Sequence, residues 1–361
     1  MKTLIVCNTV YQVFVATWLK ISNMKNDYVD IIISDHMNGS DLIASNIKKI
    51  MLFNNVYHVS TKKLCNIGLN RSSRYVSIVN ATKILNRYVK IKEKYDTVFI
   101  ANIDYFSKLL FHTLVNDFFS PNYNKDIKLF LFEDGTSTYS KLFEKYYRTA
   151  RLPLKRKFPF YKPRTILGNV SGIFVFDPTA FMWNPETAIE KIPKIDITNH
   201  RFKEAVNTIF DYQNMTDVYD TKYVFMEESF YAESEYMEDV ELVEKISQKV
   251  GKENIMVKIH PRNHINRFEK LGYKTNRNTA IPWEVILLNN DFMDKVIFSV
   301  ASQSILTPVF LFGQNIKSYI LYNCLNNQPK ILTGDLWDCS RERFIKYDNI
   351  KMIKTIEELE V

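Results

Sequence analysis

Short runs that are apolar at nearly every position, spaced by helix-length stretches, constrain this sequence more than any other feature. Leu4–Cys7, Val29–Ser34, Val56–Val59, Thr97–Ala101, Ile127–Phe132 and Gly172–Phe176 are rich in Val, Ile and Phe, and most do not alternate with polar residues. A strand with one face in water alternates, whereas a strand covered on both faces does not. Between these runs, Tyr11–Ile21, Ser40–Met51, Tyr75–Lys92 and Tyr105–Phe118 have helical character. Strand–helix alternation predicts an α/β fold with parallel strands and right-handed crossovers.

The rhythm breaks at the basic stretch Arg148–Arg164 and the proline-dotted stretch Pro178–Pro193, and a helix is predicted at Arg201–Tyr212. It then restarts. Strands are predicted at Tyr223–Met226, Ile255–Lys258, Val296–Ser299 and Ser318–Leu321, and helices at Met237–Val250, Trp283–Asn289, Gln303–Leu311 and Arg341–Lys346. A chain of 361 residues is too long for one ordinary core and suits two domains. The boundary is expected at about 195–220, giving Rossmann-like domains over 1–200 and 201–361.

With 46% hydrophobic and 24% charged residues the composition is globular, and the absence of a fixed-period repeat argues against a solenoid. The N-terminal apolar run stops at Asn8-Thr9, as a buried strand does and a signal peptide does not. No run approaches the roughly 18 apolar residues of a membrane span, so a cytoplasmic location is expected. Cys7, Cys65, Cys324 and Cys339 form no CxxC pair, which suggests neither a zinc site nor a redox motif.

The net charge of +8 is unevenly spread. Arg148, Arg151, Lys155, Arg156, Lys157, Lys162 and Arg164 fall within one stretch that has no acid and includes Phe158, Phe160, Tyr161 and three prolines. A basic aromatic loop suits an anionic membrane surface, and a solvated loop is the plain alternative. The charge alone is the support for a nucleic-acid-binding protein. No nucleic-acid-binding module is recognisable, and the basic run lacks regular stacking platforms.

Open α/β sheets bind ligands at the carboxyl ends of their strands, and polar residues collect there. After the first strand, Thr9 can cap the next helix or, with Gln12, touch a ligand. After Ile127–Phe132 come Glu133-Asp134-Gly135-Thr136. Glu-Asp-Gly is a common turn, but two acids at the end of a buried strand can also supply a base that takes a proton from a hydroxyl. After Ile255–Lys258 come His260-Pro261-Arg262. His260 can cap, or it can donate a proton to a leaving phosphate whose charge Lys258 and Arg262 offset. Glu284, in Ile281-Pro282-Trp283-Glu284, is ordinary first-turn capping or an acceptor for two ribose hydroxyls. Ser302-Gln303-Ser304, after Val296–Ser299, is a cap or a phosphate pocket built from hydroxyls and helix N–H groups. The sequence lacks Gly-x-Gly-x-x-Gly, Walker A and Asp-x-Asp motifs, which weighs against dinucleotide, P-loop and metal-dependent nucleotide-sugar chemistry.

Each motif is weak alone, but their order is not. An acidic-acidic-Gly turn in the first half, then His-Pro, then a serine turn resembles the bacterial sialyltransferases. The nearest likeness is to the lipooligosaccharide and capsular type, glycosyltransferase family 52. Marine-type sialyltransferases and capsular polysialyltransferases share the signature more distantly. The opening Ile5-Val6-Cys7-Asn8-Thr9-Val10-Tyr11-Gln12 is similar to that family's Thr-Pro-x-Gln start, with Val10 in place of proline.

The resemblance implies a GT-B architecture with a catalytic cleft between its domains. It also implies metal-independent, inverting transfer from CMP-sialic acid to a terminal galactose or sialic acid of a surface glycan. Asp134 is then the base, with Glu133 as the alternative within the motif, and His260 is the acid. Lys258, Pro261, Arg262, Glu284, Ser302, Gln303 and Ser304 would bind the donor. Thr9, Gln12, Gly135 and Thr136 would touch acceptor or donor sugar. In the lipooligosaccharide type the base follows the first strand of the second domain, which makes Glu233 and Glu235 rivals to Asp134. No cofactor or metal is implied. A glycolipid or capsular acceptor would give Arg148–Arg164 a peripheral membrane role, and relatives suggest a homodimer. The competing readings are a transferase or epimerase using another nucleotide sugar on the same scaffold and, more remotely, the nucleic-acid binder.

Overall fold

The computed structural model describes residues 1–67, 80–135, 137–151, 166–212, 219–233, 238–276, 278–332 and 334–360. The chain forms two compact units. The first comprises Met1–Pro193 and His200–Asp211; the second comprises Lys194–Asn199 and Tyr212–Val361.

Among the described residues the first unit holds a parallel seven-stranded sheet. Its strands are β1 (Lys2–Cys7), β2 (Tyr28–Ser34), β3 (Val56–Val59), β4 (Thr97–Ile100), β5 (Lys128–Phe132), β6 (Val170–Val175) and β7 (Ala188–Lys191), in the order β3-β2-β1-β4-β5-β6-β7. β1 lies central because it is apolar on both faces: Leu4, Ile5, Val6 and Cys7 are buried. Thr3 is its buried polar residue, and its hydroxyl meets that of Thr97 on β4 at 2.7 Å.

The chain winds outward from β1 through β2 and β3, then returns to place β4 on the other side. The connections therefore diverge beyond the carboxyl ends of β1 and β4, which is where a sheet of this order opens a crevice. α1 (Val10–Ile21) starts there, capped by Thr9, whose Oγ accepts the Gln12 N–H at 3.2 Å.

Several elements differ from expectation. The helix expected over Tyr75–Lys92 is a short helix at Ala81–Leu85, with 75–79 outside the described residues. Tyr105–Phe118 is α-helical only to Phe111 and continues as a π turn to Asn116. Arg148 and Arg151 lie in the helix Lys141–Arg151 rather than in a loop, and Arg148 pairs with Glu144 at 2.8 Å and Glu186 at 2.9 Å. The rest of the basic stretch, 152–164, lies outside the described residues.

The helix His200–Ile209, expected in the second domain, belongs to the first unit. Its apolar face explains this. Phe202 is fully buried, with its ring centroid 5.1 Å from those of both Phe14 and Trp18 on α1. Residues 194–199 pack on the second unit instead, where Ile195 N–H donates to Leu311 O at 2.7 Å.

The second unit repeats the plan. β8 (Tyr223–Met226), β9 (Ile255–Lys258), β10 (Lys274–Thr275), β11 (Val296–Ser299), β12 (Lys317–Ile320) and β13 (Ile350–Met352) form a parallel sheet ordered β10-β9-β8-β11-β12-β13. Its diverging connections lie beyond β8 and β11. The expected helix Gln303–Leu311 is a 3₁₀ turn at Gln303–Leu306 followed by a π turn at Pro308–Phe312. Pro308 cannot donate a backbone hydrogen bond, so a regular helix cannot run through it. The helix at Asp335–Phe344 starts earlier than the expected Arg341.

The packing of Phe202 yields a test. Phe202→Ala should lower stability by about 3–5 kcal/mol in urea denaturation. A loss below about 1 kcal/mol would mean that this helix does not anchor on α1.

Candidate active site

In the first unit, the carboxyl end of β5 presents two acids that the fold treats differently. Glu133 is 1% exposed. Its Oε1 accepts Tyr11 O–H at 2.8 Å, and its Oε2 accepts the Tyr139 hydroxyl and the Phe176 N–H, the latter at 2.9 Å. A carboxylate given three donors is locked, and its work is to join α1, the turn after β5 and the chain after β6.

Asp134 is only half-buried. Its Oδ1 accepts Gln12 Nε2 at 2.7 Å, and its Oδ2 accepts Asn102 Nδ2 at 2.8 Å. Burial raises its pKa, and the two amides pull it partly back. Gly135 follows at φ 62°, in the left-handed region that a Cβ disfavours, so the chain turns sharply there.

The two amides that hold Asp134 come from the strand ends beside it. Gln12 stands on the first turn of α1, beyond β1, and Asn102 stands just beyond β4. Gln12 Nε2 also donates to Asn102 Oδ1, while Gln12 Oε1 accepts Asn8 N–H at 2.6 Å. Gln12 is fully buried. This corrects the expectation that Gln12 touches a sugar: its amide is used behind Asp134. Thr9 serves as a helix cap, and Thr136 lies outside the described residues.

In the second unit, β9 ends in a buried Lys258 followed by His260. The His260 main-chain N–H donates to Glu227 Oε2 at 3.0 Å, and its Nδ1 accepts Arg262 N–H at 3.2 Å. An Nδ1 that accepts has no proton, so the neutral ring carries its proton on Nε2. Burial pushes the imidazole pKa down to about 4, and Lys258 and Arg262 push the same way. Burial also lowers Lys258, to about 8, against the pull of Glu284 and Glu227. Glu284, in the first turn of the helix Trp283–Asn289, is raised by burial and drawn back by Lys258.

The serine turn follows β11. Ser302 caps the 3₁₀ turn, its Oγ lies 2.7 Å from Ser304 Oγ, and the Trp283 indole donates to Ser304 O at 3.1 Å. The turn expected to bind phosphate therefore presents two hydroxyls without a long helix behind them. Gln303 turns inward, with its Oε1 accepting Arg343 Nη1 at 3.4 Å. Glu233 is tied to Arg262 Nη1 at 3.0 Å and to Ser229 Oγ at 3.0 Å, and Glu235 lies outside the described residues.

Sequence reasoning passed over Asn102, Tyr139, Asp239, Arg267 and Glu228. Arg267 joins Glu227 at 2.9 Å to Asp239 at 2.5 Å, all from within the second unit. A signal for Glu228 existed. Glu227-Glu228 ends the apolar strand β8 as Glu133-Asp134 ends β5.

A family model described as "Alpha-2,8-polysialyltransferase (POLYST)" matches residues 3–321.

The chain belongs to the alpha-2,8-polysialyltransferase family.

It is a glycosyltransferase of the sialyltransferase kind, and the matching model is that of the polysialyl group rather than the lipooligosaccharide group. No curated protein matches it in sequence. Among solved structures, the alpha/beta-galactoside alpha-2,3-sialyltransferase of the luminous marine bacterium Photobacterium phosphoreum is 12% identical. Its TM-score is 0.54, over 97% of this chain and 98% of that one. The glycotransferase of kitacinnamycin is 9% identical, with a TM-score of 0.52 over 99% of this chain and 87% of that one. At such identities the likeness shows the fold alone, and that fold is the GT-B type. Among the described residues no helix is long and apolar enough to cross a membrane.

The unequal treatment of the two β5 acids can be checked by denaturation. Glu133→Ala strands three donors, two of them buried, and should cost about 3 kcal/mol or more. Asp134→Ala strands two side-chain amides at a half-buried site and should cost less, about 1–2 kcal/mol. Equal losses would contradict the division of roles.

Proposed function

We propose that this family member transfers sialic acid from CMP-sialic acid to a sugar hydroxyl by direct, inverting, metal-independent displacement. The first unit supplies the acceptor side and the second the donor side. Asp134 takes the proton of the attacking hydroxyl. Its raised pKa makes it a stronger base, and Gln12 and Asn102 fix the direction of its oxygens.

The observation that carries the donor assignment is His260, which offers a protonated Nε2 beside Lys258 and Arg262. The leaving CMP has one phosphate. Two cations, the Nε2–H and the hydroxyls of Ser302 and Ser304 answer that charge without a metal. The low pKa of His260 in the free protein suits this role. Two of its causes are cations whose charge a bound phosphate offsets, so the imidazole gains affinity for a proton when the donor arrives. Glu284 is assigned to the ribose hydroxyls.

The family description favours a sialic acid terminus over galactose as acceptor. If that glycan is lipid-linked, the positive charge of the sequence 152–164 suits anionic headgroups.

Incubation with CMP-sialic acid and acceptors ending in galactose or sialic acid, read by mass spectrometry, tests the reading. Stabilisation against heat by UDP but not by CMP would sink it. His260→Ala and Asp134→Asn should each lower turnover by about 10²–10⁴-fold. The imidazole of His260, followed by NMR, should titrate near 4 in the free protein and higher with CMP bound; an unchanged pKa would remove it as the acid.

A further inference from the structure

Glu228 has no part in the roles assigned so far, yet it lies at the centre of the second unit's diverging strand connections. It follows β8, and its Oε1 accepts Ser299 Oγ–H at 3.0 Å and Ala301 N–H at 2.9 Å. Both donors belong to the end of β11 and the turn after it. Having given its hydrogen to Glu228, the Ser299 oxygen can only accept, and it accepts Ser302 N–H at 2.9 Å. Ser302 Oγ in turn accepts Ser304 N–H at 3.3 Å and lies 2.7 Å from Ser304 Oγ. One carboxylate oxygen thus begins a relay of hydrogen bonds that orients the whole turn.

We propose that Glu228 is the positioning residue of the donor-phosphate turn and that it takes up a proton from solvent when phosphate binds there. The inference rests on reading Ser302 and Ser304 as the phosphate contacts. A phosphate on these hydroxyls is separated from Glu228 only by the short relay through Ser299. In a buried site two such anions repel strongly, and the carboxyl is relieved by protonation. The protonated group still accepts Ser299 and Ala301 at its carbonyl oxygen, so the turn keeps its shape while the opposing charge goes.

The surroundings favour this. Burial raises Glu228, Ala301 and Ser299 draw it back, and Asp239 and Glu227 add to the rise, with a net value of about 7. Arg267 serves Asp239 and Glu227, and Lys258, from β9, faces Glu284 and Glu227. His260 meets Glu227 through its main chain. Among the described residues no cation pairs with Glu228 itself.

The sign follows. A group that must be protonated in the complex weakens binding as pH rises through its free-state pKa. Calorimetric titration of the full chain with CMP should show affinity falling, relative to Glu228→Gln, by about tenfold between pH 6 and pH 8. The phosphate's own titration is common to both proteins and cancels in the comparison. Glu228→Gln keeps an acceptor for the turn and should bind CMP at pH 8 more tightly than the unaltered chain. Glu228→Ala should bind weakly at every pH. Titrations at pH 7.5 in two buffers of different ionisation enthalpy should report more proton uptake with CMP for the unaltered chain than for Glu228→Gln, the uptake by other groups being common to both. Parallel pH profiles for the two proteins, or equal proton uptake, would overturn the inference and leave the donor assignment standing. Failure of the unaltered chain to bind CMP at any pH would overturn both.

Discussion

A carboxylate buried at a strand end must be given donors before the chain can close over it, and this requirement organises both units. In the first, Glu133 draws in Tyr11 from α1, Tyr139 from the turn after β5, and the main chain at Phe176. In the second, Glu227 takes the His260 N–H and Arg267, which also holds Asp239. Leaving such an acid without partners would cost more than most single contacts contribute. The satisfied acids therefore act as fasteners beyond the sheets, where backbone ladders no longer hold the chain.

Each fastener is followed by a second acid held differently. Asp134 accepts only two side-chain amides and remains half-buried. Glu228 accepts a hydroxyl and one main-chain N–H, and burial lifts it to about 7. Asp134 has fewer donors than Glu133, and among the described residues neither Asp134 nor Glu228 pairs with a cation as Glu227 does. A base or a proton-linked positioning group requires a carboxyl that is not held charged in this way. The rigid first acid aims the labile second one. Adjacent, chemically similar residues can thus be given the different roles proposed for them.

Much of this was legible in the sequence because burial on both faces leaves a plain mark. The continuous apolar runs foretold β1, β2, β3, β5, β8, β9 and β11 closely, and the motifs fell at their carboxyl ends as expected. The weaker elements were not legible. β7 is exposed along its length and β10 is two residues long, so neither carries an apolar signature. The break near Pro308 was visible as a proline, but the continuing apolar residues Val309, Phe310 and Leu311 disguised it. His200–Ile209 read correctly as a helix, yet its allegiance to the first unit depends on the partner of Phe202, which no local pattern states.

What the sequence determined by itself is the alternation of buried strands and helices, the two-part organisation and the order of the chemical motifs, since these follow from local composition and periodicity. What only the tertiary structure decided is which donors each member of an acid pair is given, that Gln12 serves Asp134 from behind, and that Glu228 reaches the serine turn. Each of those depends on donors brought together from strand ends far apart in the chain: Gln12 and Asn102 on Asp134, Ser299 and Ala301 on Glu228. A carboxylate's protonation is set by such neighbours and by burial, and neither is written in the residues beside it.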